Sequence, residues 1–302
     1  MAFGMGKVIL IGEHAVVHGR PALACAIDRG VSARGESSAR DELVVIPWDR
    51  RVAPDPDADD PLGRAFHAVL SVHPGERVSI RVTADVDLPA GAGLGCSAAL
   101  GVAVAGAIDE ALGMTRTPEA LAELTLGWER IFHGNPSGVD NTVAACGGAI
   151  LFRRGSPLEA VTPASPLLLV VCDSGEPSST RDMVAAVDAA LARSPEEMGG
   201  IFDEMGMLAE RGAGALRDGD LAALGSTMYR NGALLERIGV STARLDLICE
   251  AARAAGALGA KLTGAGGGGC AVALVADREH AQRVSEALIP LGREVFVVEG
   301  AS

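Results

Sequence analysis

Four short stretches hold most of the residues that could do chemistry. The first to weigh is Leu88-Pro-Ala-Gly-Ala-Gly-Leu-Gly-Cys-Ser-Ala-Ala99, where glycines alternate at 91, 93 and 95 ahead of a small-residue run. Glycine tolerates positive φ and lets backbone approach an anion closely. The N–H groups of a helix start then point at that anion, with the helix dipole behind them. Pro89, Gly91, Ala92, Gly93, Leu94, Gly95, Cys96, Ser97 and Ala98 therefore read as a phosphate cradle, with the Ser97 hydroxyl placed to reach a phosphate-bound Mg²⁺. A glycine-rich turn before a buried helix would look the same locally, so the reading leans on the other three stretches.

The second stretch is Gly6-Lys-Val-Ile-Leu-Ile-Gly-Glu-His-Ala-Val-Val-His-Gly19, which reads as a buried strand, a turn and a second short strand. Lys7 opens the apolar run, and Glu13 and His14 follow it. Charges at the ends of a buried strand are costly without partners. A site is one explanation, and surface capping is the other for Glu13. The third stretch runs from Glu129 to Asn141 and includes Asp140 within His133-Gly-Asn-Pro-Ser-Gly-Val-Asp-Asn141, read as irregular. A carboxylate beside a phosphate site can orient or deprotonate an attacking hydroxyl, although a capping aspartate would also fit.

The fourth is Lys261-Leu-Thr-Gly-Ala-Gly-Gly-Gly-Gly-Cys270. Gly264, Gly266 and Gly269 fit G-x-G-x-x-G, but a dinucleotide fingerprint should open a helix. Here the glycines lead into Ala271-Val-Ala-Leu-Val-Ala276, a strand pattern. The pattern G-x-x-x-x-G-K-[ST] is absent as well. The phosphate site is thus of neither common kind.

The elements that must position these residues are legible in outline. Leu62–Val72 reads as a short helix, and Val78–Thr83 alternates as a strand entering the glycine loop. Ala98–Leu112 is apolar on nearly every side, so it is a buried helix. Thr117-Pro118-Glu119 is a helix start. Leu121, Leu124, Trp128 and Ile131 form the core face of that helix, with Glu129 about 100° to its flank. Ala144–Phe152 reads as a strand. After a strand at Leu167–Cys172 come helices near 180–193, 201–211, 221–236 and 242–255, then a helix at 278–288 and a strand at 295–298. This change of texture places a domain boundary near residue 163, giving domains 1–163 and 164–302.

Composition narrows the class. A chain of 302 residues, 48% hydrophobic, can bury one large core or two medium ones. A net charge of −13 excludes a general nucleic-acid binder, which needs a basic surface. The six cysteines are widely spaced and show no zinc or haem pattern. A reduced, cytoplasmic protein is the simplest account. The apolar run Val8–Ile11 is too short for a membrane span, and no membrane association is expected.

In this order the glycine-containing stretches resemble the GHMP kinases. GKVILIGEHAVVHG (6–19) and ERIFHGNPSGVDN (129–141) look like the mevalonate kinase branch of that superfamily. The resemblance implies an α+β, two-domain GHMP kinase fold. Its N-terminal domain is ribosomal-protein-S5-like, with a left-handed β-α-β unit, and its C-terminal domain is ferredoxin-like, with ATP in the cleft between. It implies ATP- and Mg²⁺-dependent phosphorylation of the 5-hydroxyl of mevalonate, a step in isoprenoid precursor synthesis. The alternatives are another small-molecule kinase of the superfamily and a silent nucleotide- or metabolite-binding relative.

By the same resemblance Asp140 matches the catalytic aspartate, and Lys7 the lysine that pairs with it and contacts the transferring phosphoryl group. Ser97 and Glu129 match the Mg²⁺ ligands, and Pro89 with Gly91–Ala98 the phosphate cradle. His14, His18, Thr263 and Gly264 match substrate-side positions. Relatives are often dimers, so a homodimer is expected. One departure stands in the cradle, where the family commonly has two serines after G-L-G and Cys96 takes the first place. A neutral thiol there, open to thiol reagents, is the expectation.

Overall fold

Alternating and continuous apolar runs at the start of the chain extend into two long strands, β1 (Ala2–Ile11) and β2 (Ala22–Ser37). The computed structural model describes residues 1–73 and 78–301. The elements continue with β3 (Glu42–Val45), β4 (Arg50–Val52), α1 (Pro61–Leu70), β5 (Ile80–Val86), α2 (Cys96–Ala111), α3 (Pro118–Leu124), α4 (Leu126–His133) and α5 (Val139–Cys146). Then come β6 (Ala149–Phe152), β7 (Glu159–Val161), β8 (Leu167–Asp173), α6 (Thr180–Arg193), α7 (Pro195–Asp218), α8 (Leu221–Arg237) and α9 (Ala243–Ala254). The chain closes with β9 (Gly259–Leu262), β10 (Cys270–Val275), α10 (Arg278–Leu288) and β11 (Glu294–Gly300). Among the described residues no helix is long and apolar enough to cross a membrane.

Two units emerge, each discontinuous in sequence. The first comprises Met1–Gly6, Arg29–Ala90 and Gly95–Gly147, and the second Lys7–Asp28, Gly91–Leu94 and Gly148–Ser302.

In the first unit the strands run in the order β4-β3-β5-β2. β3 is parallel to β5 (Leu43 opposite Val82), and β5 is antiparallel to β2 (Ala84 opposite Ala33). The parallel pair is joined through α1, a β-α-β connection. Buried α2 is rich in Ala, Gly and Val, and this composition has a packing reason. At Gly35 on β2 an added Cβ would meet the carbonyl of Ala107, so helix and strand backbones lie almost in contact. Small residues on both sides allow that approach. Trp128 of α4 seats its indole over Gly101 of α2 and donates from Nε1 to the Ser97 carbonyl at 3.0 Å.

The second unit centres on β11-β8-β10-β9, all antiparallel, with Val171 opposite both Phe296 and Val272. Numbered by sequence this sheet reads 4-1-3-2, with α6–α9 following its first strand and α10 its third. That is the ferredoxin-like arrangement. β2 joins at Gly300–Ile27, and β6 and β7 extend from it. Buried Val170, Val171, Val272 and Leu274 fill the sheet core, against which α8, α9 and α10 pack.

Several local expectations are corrected. The helix expected from Pro118 is two helices. Thr125 folds its hydroxyl back to donate to the carbonyls of Leu121 (2.8 Å) and Ala122 (3.1 Å), ending α3 before α4 restarts. Within α4 both Trp128 and the adjacent Glu129 are buried, so Glu129 is not the surface residue its flank position would suggest. Residues 139–146 are helix, so Asp140 stands in a first turn and not in an irregular segment. The strand expected from Ala144 begins only at Ala149. The expected second short strand after Glu13 is a run of turns, closed by Ala15 N to Glu13 O (2.7 Å) and Val17 N to His14 O (2.9 Å).

Candidate active site

The glycine loop adopts the conformation its spacing demands. Gly91, Gly93 and Gly95 have φ of +69°, +81° and +73°, values that strain any L-residue. Gly93 is also confined, because a Cβ there would lie 2.6 Å from the Thr263 carbonyl. Gly264 backs onto it from the fourth stretch, and the Cys270 N–H donates to the Ala92 carbonyl at 3.1 Å. Two motifs some 170 positions apart in the chain are therefore one backbone assembly in the second unit. In the first unit, α2 opens at Cys96 with Gly95 as its N-cap and no side chain capping it. Such a terminus presents backbone donors and positive dipole to an anion. Pro89 is half-buried before the loop, Leu94 is buried, and Ala98 is buried in the first turn.

Ser97 and Glu129 are brought together. The Ser97 hydroxyl donates to Glu129 Oε1 at 2.6 Å, and Glu129 is 1% exposed. His133, one turn along α4, places Nε2 3.6 Å from Glu129 Oε2. A hydroxyl and a carboxylate are hard oxygen donors of the kind Mg²⁺ takes, with phosphate and water oxygens completing its shell. Among the described residues there is no group of three or more His, Cys, Asp or Glu that could hold a metal ion. By their donor chemistry Ser97 and Glu129 fit Mg²⁺.

Cys96 is buried next to this pair. Burial first, and the Glu129 charge second, push its thiol up to about 12, so it is neutral. Asp140 is half-buried at the second position of α5, behind a Gly138 N-cap with φ +95°. The first turn of a helix favours a negative charge.

In the second unit Lys7 is 2% exposed on β1, and its N–H donates to the Leu94 carbonyl of the glycine loop at 2.9 Å. Two residues on, the Ile9 N–H donates to Thr263 Oγ1 at 3.0 Å, within a buried site. His14 has φ +61°, a rare value for a residue with a side chain. Its Nε2 lies 2.8 Å from the Ala265 carbonyl, which only accepts, so the ring donates there. Burial holds its pKa below 6.5, partly offset by that carbonyl. His18 is used differently. Its ring stacks on Phe202 of α7 at 4.6 Å and 8°, and its Nε2 is 3.5 Å from Asp188 of α6. Partial burial also lowers its pKa, opposed by Asp188.

Sequence reasoning missed Lys261 and Asn231 and left Glu13 undecided. All three are buried together in the second unit, with Lys261 Nζ on Glu13 and Asn231 Nδ2 on Glu13 Oε2 at 2.9 Å. The available signal was a lone lysine within the apolar run from Ala257 to Leu262, matched by a lone glutamate closing the run of β1.

Family models for the GHMP kinases N terminal domain and the GHMP kinases C terminal match residues 62–149 and 213–290. A mevalonate kinase of Thermococcus sibiricus is 35% identical over 92% of this chain and 90% of its own length. One of Pyrococcus horikoshii is 35% identical over 93% and 90%. Among solved structures, L. major mevalonate kinase in complex with R-mevalonate is 31% identical, with a TM-score of 0.86 over 98% of this chain and 94% of that one. At this identity over nine-tenths of both lengths, the chain belongs to the mevalonate kinase family of the GHMP kinases.

Proposed function

We propose that Asp140, Lys7, Ser97 and Glu129 carry out the reaction of this family, transfer of the γ-phosphoryl group of ATP to the 5-hydroxyl of mevalonate. ATP seats its phosphates on Pro89, the Gly91–Ala98 backbone and the uncapped start of α2. Ser97 and Glu129 hold Mg²⁺, which supplies charge neutralisation for the phosphate oxygens. His14, His18, Thr263 and Gly264 face the substrate side. Asp140 takes the proton of the 5-hydroxyl as that oxygen bonds to the γ-phosphorus and the bond to the bridging oxygen breaks. The products are 5-phosphomevalonate and ADP. Lys7 stabilises the charge on the transferring group. Little covalent chemistry is needed, so alignment and charge supply most of the rate.

The observation that carries the reading is 35% identity to mevalonate kinases over more than nine-tenths of the chain. The Ser97–Glu129 contact at 2.6 Å supports the residue roles. The matched family segments fall on either side of residue 163, in keeping with domains 1–163 and 164–302. Six free cysteines accord with a reducing, cytoplasmic setting, and a homodimer is testable by sedimentation. The deciding assay is ADP release from Mg·ATP with mevalonate, phosphomevalonate, galactose and homoserine in parallel. Turnover confined to mevalonate is expected, and turnover confined to another of the four would replace the substrate.

A further inference from the structure

We propose that Lys261, Glu13 and Asn231 form a buried positioning clamp that sets the β1 end and its turn for catalysis, and that Lys261 is not a phosphate ligand. A lysine at the head of a glycine-rich motif beside the phosphate loop invites the opposite assignment. An ammonium has three N–H donors. Those of Lys261 meet three inward acceptors: the Ile9 carbonyl at 3.1 Å, Glu13 Oε1 and the Leu262 carbonyl. Its side chain is fully buried on β9. No donor remains for a nucleotide.

The clamp grips one segment from several sides. Lys261 holds the Ile9 carbonyl and Thr263 Oγ1 accepts from the Ile9 N–H at 3.0 Å. Asn231 of α8 accepts from the Gly12 N–H at 3.3 Å and donates to Glu13 Oε2 at 2.9 Å. Every one of these bonds falls between Lys7 and His14, the two residues that must be placed for mevalonate to react. Both glutamate oxygens are engaged, so the acid cannot swing away without stranding a buried charge. Strand β1 is thereby registered to β9 and α8 by side chains as well as by packing. Alignment within a fraction of an ångström governs phosphoryl transfer rates, so a loosened clamp should act on turnover as well as on folding.

The inference rests on the assignment of Lys7 and His14 above. Its test is steady-state kinetics with Mg·ATP and mevalonate, alongside thermal melts, for Lys261→Met and for Lys261→Met/Glu13→Gln. The double variant removes both charges and regains stability lost by the single one. Positioning predicts a fall in kcat of at least about 10-fold and a several-fold rise in KM for mevalonate. KM for ATP should stay within about twofold, and kcat should remain low in the double variant although its melting temperature recovers. A rise in KM for ATP with mevalonate unaffected would show a phosphate lysine and overturn the proposal. So would a double variant whose kcat returns with its stability, since that marks a merely structural pair. If Lys261→Met does not fold, the double variant decides by the same criteria. Failure of the underlying assignment shows separately, as wild-type kcat in Lys7→Met.

Discussion

Two glutamates, each 1% exposed, sit in different regions and have different partners. Glu129, in the first unit, receives a hydroxyl from Ser97 at the start of α2. Glu13, in the second, receives an ammonium from Lys261 and an amide from Asn231. The hydroxyl orients its carboxylate without cancelling the charge, and it can rotate to offer a lone pair to a cation. The ammonium cancels the charge, and its three donors are committed. Burial of an acid therefore does not mark a metal site. The chemistry of the donor beside it separates the two, a hydroxyl at Glu129 and an ammonium at Glu13.

The largest effects are expected at the acids of the first unit. Asp140→Asn should lower kcat by about 10²–10⁴-fold while calorimetric ATP affinity stays unchanged. Near-wild-type turnover would defeat the proton-acceptor assignment. Glu129→Gln should cut activity at least about 10-fold and raise the Mg²⁺ concentration needed for half-maximal rate, with a small change in melting temperature. Glu13→Gln should do the reverse in emphasis. It leaves Lys261 buried without its counter-charge, at a cost of about 3–5 kcal/mol in urea unfolding. Equal loss of stability in both variants, or a Mg²⁺ effect in Glu13→Gln, would erase the distinction.

Part of this is legible in the sequence alone. The cradle was readable because Gly91, Gly93 and Gly95 need positive φ, a requirement that leaves a mark in residue type. Motif order and resemblance single out Lys7, Asp140 and Glu129, and the burial of Glu129 is visible only in the structure. Two things stayed hidden. The break at Thr125 depends on a hydroxyl folding back on its own helix, which competes with propensity only weakly and so leaves little trace. Lys261–Glu13–Asn231 joins positions up to 248 residues apart on β9, the turn after β1 and α8, and pairing at that separation is set by tertiary packing, not by local pattern.

A smaller effect separates His14 from both glutamates. Its folded pKa lies below 6.5 because burial disfavours the charged ring. The unfolded chain therefore takes up a proton, as pH falls through 6.5, that the folded chain refuses. Stability contributed by the neutral ring is present above that pH and declines below it, by up to about 1.4 kcal/mol per pH unit until the folded value is reached. His18 acts in the same direction with less burial. Urea unfolding at pH 7 and 5.5 should show this slope, and His14→Gln should flatten it. An unchanged slope in that variant would place the proton uptake elsewhere.

The smallest effect is expected at Cys96, and it revises the expectation of thiol sensitivity. A thiol pushed up to about 12 by burial, with Glu129 opposing a second negative charge, stays protonated at pH 8. Alkylating reagents attack the thiolate, so the folded enzyme should lose no activity to iodoacetamide on a timescale of hours at that pH. Cys96 contributes its backbone N–H and its volume at the start of α2, and serine supplies the first and nearly the second. Cys96→Ser should leave kcat and both KM values within about twofold, as expected for a near-isosteric change with no lost charge. Rapid alkylation of Cys96 that ATP prevents would show that this helix start opens far enough to expose its first residue. The Ser97–Glu129 pair would then be only part of what that opening rearranges.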